Sequence, residues 1–301
     1  MRDTLKNFKI AYNLTYTDPV ILRNNTAVGI ELELEGNPCI DDLSDDWRAV
    51  EDGSLRNGGI EIRCRRPLSG ADLEKALVSL TSTLESTSYT LSERCSTHIH
   101  IDVSDLQGSQ IKNFIALSVM FEHVLFDLFG GERRSNNFCL ATDEGGNNYK
   151  DFVRLMSANR TIPCILSGEY TWTKYAGIGL YRIRDLGTIE FRMFSPMVGL
   201  KEYHNVLNFL FAMKDEAILM SEPSDIIEYK RGASLQQTFY KLFPDLEFNE
   251  NTDRQLERGI QTLNDILNTA EVIKMTRRDR NKYQSLIESA QSQIQLLDRG
   301  I

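Results

Sequence analysis

Between Val28 and Glu35 the chain reads Val-Gly-Ile-Glu-Leu-Glu-Leu-Glu. As a β-strand this alternation puts Ile30, Leu32 and Leu34 on one face and Glu31, Glu33 and Glu35 on the other. Carboxylates about 7 Å apart along one face repel unless water or a cation neutralises them. Such a strand is either a solvated strand or half of a metal site. Other segments share its parity. Thr97–Val103 sets His98, His100 and Asp102 opposite Ile99, Ile101 and Val103, and Ile60–Arg65 sets Glu61, Arg63 and Arg65 opposite Ile60, Ile62 and Cys64. Thr188–Phe194 sets Thr188, Glu190 and Arg192 opposite Ile189, Phe191 and Met193, and Gly179–Arg184 reads as a strand with Arg182 and Arg184 on its polar face. Each motif alone has an ordinary structural explanation. Gathered on one floor, carboxylates and imidazoles offer a site for Mg²⁺ or Mn²⁺, and arginines offer bidentate grips for phosphate. That combination points to a metal–nucleotide complex. With no Gly-x-x-x-x-Gly-Lys-Ser/Thr loop, the fold is not expected to be a P-loop NTPase.

Elements that could hold these strands are legible around them. Ser69 is placed to cap a helix carrying Leu73, Leu77, Leu80 and Leu84, and a longer apolar helix runs from about Ser109 to Phe129, stopping at Gly130-Gly131. A third spans about Lys201 to Met220. The polar, Gly- and Asn-rich stretch from Ser135 to Lys150 reads as a loop and a candidate lid. One apolar and one charged face per strand, interleaved with helices, predicts an α+β fold: a mostly antiparallel sheet covered by helices on one side. The composition changes at Ser221-Glu222-Pro223-Ser224, dividing a catalytic region, 1–221, from a helical C-terminal region, 222–301. There Thr252 and Gln255 resemble a capping box ahead of Leu256, Ile260, Leu263, Leu267 and Ala270; Tyr283, Ile287, Ala290, Ile294 and Leu297 extend the stripe, which could close a homo-oligomer.

Bulk properties narrow the class. The 301 residues carry a net charge of −9, with no broad basic surface for nucleic acid. Five cysteines, an odd number without Cys-x-x-Cys pairing, argue against a disulfide framework and for a reducing cytoplasm. Ile111–Phe129 is interrupted by Asn113, Glu122, His123 and Asp127, so it reads as a core helix and no membrane span is expected.

The order of the motifs carries a resemblance. Gly-x-Glu-x-Glu (Gly29–Glu33), Asp-Gly-Ser (Asp52–Ser54) then Gly-Ile-Glu-Ile (Gly59–Ile62), Thr-His-Ile-His-Ile-Asp (Thr97–Asp102) and Thr-Ile-Glu-Phe-Arg (Thr188–Arg192) together resemble the amidoligase family, of the glutamine synthetase and glutamate–cysteine ligase superfamily. The likeness spans residues 25 to 200 and implies a glutamine-synthetase-like curved sheet. It implies an ATP-dependent, ADP-forming carbon–nitrogen ligase: a carboxylate is phosphorylated by ATP, and an amine captures the acyl phosphate. By motif position, Glu31, Glu33, Glu61, His98 and Glu190 resemble ligands of two or more Mg²⁺ or Mn²⁺ ions, with Asp52 assisting Glu61. His100 resembles a substrate or phosphate contact, and Arg192 a grip on the transferred phosphoryl group. Catalysis then rests on Arg192, Glu33 and His100, and nucleotide binding on Arg182, Arg184, Arg192 and Arg134.

Other positions stay open between function and packing. Arg133 and Arg134 are either nucleotide contacts or a solvated pair; Tyr181 and Trp172 either stack on adenine or pack. Cys95 lacks a partner base, and Asp102 caps a turn or joins the site. Glu35 is expected to be solvated and replaceable. Two other classes compete: a metal-dependent hydrolase built on the His/Glu cluster, and a non-catalytic binding or assembly protein. The substrates expected for the ligase are small-molecule or peptide carboxylates and amines.

Overall fold

A computed structural model describes residues 25–40, 43–144, 146–158, 175–227, 240 and 249–298; Trp172 and Cys164 lie outside them. The chain forms β1 (Val28–Leu34), β2 (Trp47–Glu51), β3 (Ile60–Cys64), α1 (Gly70–Glu85), β4 (Thr97–Asp102), α2 (Gly108–Leu125) and α3 (Gly146–Ser157). Then come β5 (Ile178–Gly179), α4 (Arg182–Leu186), β6 (Thr188–Phe194), α5 (Leu200–Leu219) and α6 (Glu250–Asp298). The strands pair antiparallel in one sheet ordered β2-β3-β1-β4-β6-β5, so the fold is α+β as expected.

The alternation does what its period requires. Ile30, Leu32, Ile62, Ile99, Ile101, Ile189 and Phe191 point to the helical side, each no more than 1% exposed. Burying each such side chain contributes about 1.5–3 kcal/mol. A one-residue slip would exchange this row for a row of carboxylates, which specifies the register strongly. Across the core, α2 is packed on nearly every side: Phe114 meets Phe191 of β6 with ring centroids 5.9 Å apart, and Phe121 meets Phe209 of α5 edge-on at 5.7 Å. With the turns after it, Gly108–Arg134 is long and apolar enough to cross a membrane by composition, yet its apolar side chains form the centre of this core.

Several sequence expectations change here. The edge strand β2 was not anticipated; Trp47 anchors it, its indole N–H donating to Ala76 O at 3.0 Å. The expected strand from Gly179 to Arg184 stops after Gly179, and Arg182–Leu186 forms one helical turn instead, closed by Gly187 at φ +69°. Antiparallel neighbours as close in sequence as β5 and β6 need a reversal between them, and Gly187 takes the left-handed conformation that ends it. The Ser135–Lys150 loop is shorter than expected, since α3 begins at Gly146. Its Tyr149, Phe152, Val153 and Met156 form an apolar helical stripe that the polar opening residues disguised. Ser69 occupies the N-cap of α1 without a side-chain cap hydrogen bond. Asn249, not Thr252, caps α6: its Oδ1 accepts from the Asn251 and Thr252 amides at 2.9 and 3.0 Å.

The first half of α6 belongs to the core. Leu256, Ile260, Leu263, Ile266 and Ala270 are at most 3% exposed and share the cluster that holds the sheet. Arg258 ties the same helix to the turn ahead of α3, donating to Asp143 Oδ2 at 2.6 Å and Glu144 Oε1 at 2.9 Å. Beside that turn, Glu122 Oε2 of α2 accepts from the Thr142 amide at 2.8 Å. Burial pushes the Glu122 carboxyl up to about 8, with Asp143 and Glu144 adding to the rise. Because the folded value lies above the ordinary one of 4.5, the neutral form favours the fold. Stability from this group is present below about pH 4.5 and is lost as pH rises through about 8. Glu122→Gln, with its amide oxygen toward Thr142, should therefore raise the melting temperature at pH 8 and change it little at pH 5. Equal shifts at both pH values would exclude this titration.

Candidate active site

The registers assemble the polar floor strand by strand. Glu31 of β1 faces Arg63 of β3 on one side and His98 of β4 on the other; Glu33 faces Glu61, and His100 faces Glu190 of β6. A bulge breaks the β4–β6 ladder: between the pairs Thr97–Phe194 and Ile99–Phe191, only His98 stands opposite both Arg192 and Met193. The extra residue lets Met193 and Phe194 both enter the core while Arg192 stays on the floor.

At the centre lie Glu31, His100 and Glu190, whose potential ligand atoms fall within 4.8 Å of one another. His100 Nε2 is 3.8 Å from both Glu31 Oε1 and Glu190 Oε1. Its Nδ1 is 3.3 Å from Thr188 Oγ1, which leaves Nε2 toward the carboxylates. His100 Nε2 and Glu190 Oε2 are buried without a hydrogen-bond partner among the described residues. Buried polar atoms rarely go unsatisfied, and an imidazole nitrogen with carboxylate oxygens is a donor set for a divalent cation. The residues fit such an ion.

His98, expected as a ligand, is engaged on both nitrogens. Its Nε2 is 2.8 Å from Ser96 Oγ and its Nδ1 3.2 Å from Glu31 Oε2. Burial, then the charge of Arg192, pushes it well below the ordinary imidazole range, so the ring is neutral. Ser96 Oγ also donates to Glu33 Oε2, so polar contacts run unbroken from Glu33 through Ser96 and His98 to Glu31. Burial raises the Glu33 carboxyl to about 7 against the Ser96 hydrogen bond and the charges of Arg133 and Arg192. Glu61 is also raised by burial, and Arg63 grips it with Nε at 2.6 Å and a terminal nitrogen.

The arginines separate. Arg192 Nη1 donates to Glu190 Oε1 at 2.6 Å while its Nε stays unpartnered among the described residues. Burial lowers the Arg192 guanidinium, but Glu190 outweighs it and holds the charge. Arg182 lies over the Tyr181 ring, 4.5 Å from its centroid, and Arg184 is exposed on α4, off the floor. Arg134 turns away, donating to Gln255 of α6. Its neighbour Arg133 takes the inner place, 3% exposed, donating to Cys95 O at 3.0 Å near enough to Glu33 to act on its charge. Ser96 is thus a floor residue that the sequence reading missed, and of the two arginines it left open, Arg133 is the one on the floor. Ser96 shares the parity of His98 and His100, a signal that was available; which of two adjacent arginines faces inward on a short 3₁₀ turn has no sequence signal.

Three acidic residues near the motifs have structural tasks. Asp52 caps its own turn through Ser54 N at 2.8 Å, and Asp102 does the same through Ser104 N at 2.9 Å. Glu35, expected to be solvated, is 4% exposed, and its Oε1 accepts from the Arg56 amide at 2.8 Å. It pins the loop between β2 and β3. Glu35→Ala should cost about 1–3 kcal/mol of stability, the range for stranding a buried partner. An unchanged denaturation midpoint would show the loop is held elsewhere.

No curated protein matches the chain. A family model described as "Putative amidoligase enzyme" matches residues 59–213, from the strand of Glu61 through both histidines and Glu190 to the middle of α5. The match covers more than half of the 301 residues and takes in most of the floor. By that match, the chain belongs to the amidoligase family.

Proposed function

We propose that this amidoligase is an ATP-dependent carboxylate–amine ligase that forms its amide through an acyl phosphate and releases ADP and phosphate. The observation that carries the reading is the Glu31–His100–Glu190 cluster, with unsatisfied ligand atoms, beside the half-engaged guanidinium of Arg192. Those three residues would hold Mg²⁺ or Mn²⁺, with His98 Nδ1 3.2 Å from Glu31 Oε2 on the other side of that carboxylate. Bound there, the ion would offset charge on the triphosphate and the transferred phosphoryl group. Glu33 and Glu61 already accept from Ser96 and Arg63, so a second ion would displace those donors.

A substrate carboxylate oxygen attacks the γ-phosphorus and ADP departs with the bridging oxygen. Arg192, held by Glu190, presents Nε to the transferred group. The amine then attacks the acyl carbon, phosphate leaves, and the surplus amine proton passes to a floor carboxylate. Phosphoryl transfer asks the protein mainly for alignment and charge compensation, which the buried floor is built to provide. The test is ADP release with Mg²⁺, ATP and a panel of carboxylates and amines, using wild type and Glu190→Gln. Release that needs both partners and is lost in the variant is expected. Substrate hydrolysis without ATP would replace the ligase reading with a metal-dependent hydrolase.

A further inference from the structure

The floor continues beyond the cluster toward the β2 edge, where arginines accumulate. Register sets Arg48 of β2 opposite Arg63 of β3, and Arg63 opposite Glu31 of β1. Arg48, Arg63, Arg65 and Arg66 line a cavity of about 480 Å³ that opens on Glu31 and His100. Their countercharges are incomplete. Arg63 is held by Glu61, and Arg66 reaches Asp46 at 3.0 Å. Arg65 Nε, however, donates only to a neutral carbonyl, Trp47 O at 2.7 Å, and exposed Arg48 has no hydrogen bond or ion pair among the described residues. Asp102, also on the wall, is turned into its own turn.

Like charges directly opposite across two strands destabilise a sheet, so folding gives no reason for Arg48 beside Arg63. Planar guanidinium forks suit one ligand chemistry well, a carboxylate or phosphate gripped in bidentate fashion. Among the described residues, the wall of this cavity contains no Phe, Tyr or Trp on which a nucleotide base could stack.

We infer that the Arg48–Arg63 cavity binds a second anionic group of the substrate that is ligated, while its reacting carboxylate lies at the cluster on which the cavity opens. The substrate class is then an acid carrying a further carboxylate or phosphate, and the inference rests on the ligase reading above only for what happens at the cluster.

Calorimetric titration of the full chain at low salt, with and without Mn²⁺, tests it using glutarate, butyrate, inorganic phosphate and a non-hydrolysable ATP analogue. Wild type should bind glutarate and phosphate more tightly than butyrate. Arg48→Gln should weaken glutarate and phosphate on the order of five-fold, about 1 kcal/mol. Ligand-free Arg48→Gln should also melt no lower than wild type, because a repulsion is relieved. Unchanged glutarate and phosphate affinity in the variant overturns the inference, as does an equal loss for the ATP analogue, which would give the cavity to nucleotide phosphates. Mn²⁺ binding, followed by electron paramagnetic resonance, separates the two readings. Anion binding that depends on Arg48 without any Mn²⁺ at the cluster keeps this inference and sinks the metal site. Mn²⁺ binding without Arg48-dependent anion binding does the reverse.

Discussion

Glu190→Gln is expected to reduce amide-forming turnover by roughly 10²–10³-fold, the scale for removing one preorganised electrostatic group from a reaction centre. The substitution keeps shape and one acceptor oxygen for Arg192 Nη1 but removes the charge from a carboxylate that is 1% exposed. Two effects on the empty fold oppose each other. The Arg192 guanidinium loses its ionic partner, which costs stability, while repulsion among the crowded carboxylates of Glu31 and Glu190 is relieved. Stability should therefore change by only about 1 kcal/mol. A large loss of turnover and of Mn²⁺ affinity with a nearly unchanged melting temperature is the expected signature. Retained turnover would remove Glu190 from the reaction, and a collapse in stability matching the lost activity would make its role structural.

The second large effect lies far from the floor. A Cβ added at Gly259 of α6 would fall far inside contact distance of the Met120 carbonyl oxygen of α2, and within 3.1 Å of Met120 Cα. Those are backbone atoms, so no rotamer change relieves the overlap and the helices must separate. Alanine normally favours a helix over glycine by about 1 kcal/mol. Here separation would also strip packing from Leu256, Ile260, Leu263 and Ile266, which are all but fully buried. Gly259→Ala should therefore destabilise the whole protein by about 2–4 kcal/mol net, a drop of several degrees in melting temperature. A single cooperative transition at lower temperature is expected in calorimetry. A main transition left in place, with only a small early one added, would show α6 to be energetically separate from the sheet.

Much of the floor was legible because side-chain direction in a strand repeats every two residues. Glu31, Glu33, Glu61, His98, His100, Glu190 and Arg192 could be assigned to one face from local pattern alone, and the motif order pointed to the family that the comparison shows. Helix α1 announced itself through leucines at the helical period, and α2 through an apolar run ending at Gly130-Gly131. Elements whose identity depends on a neighbour were less legible. β2 is short and amphipathic only in part, α3 hides its stripe behind polar residues, and α4 exists because β5 and β6 require a reversal between them.

Sequence by itself determined which residues are polar-side and which are core-side, since that is a matter of period and burial. Only the tertiary structure decided which of them meet. Strand order and register brought both histidines against Glu31 and Glu190 and left His100 Nε2 without a hydrogen-bond partner among the described residues, while Arg133 turned inward and α6 drew Arg134 away. They also seated Arg48 against Arg63 and buried Glu35 under a loop. These pairings join residues up to 159 positions apart (Glu31 to Glu190), and no local periodicity encodes such a distance. They follow from burying several apolar strand faces and the helices on one core, which leaves few registers that also keep the charges apart.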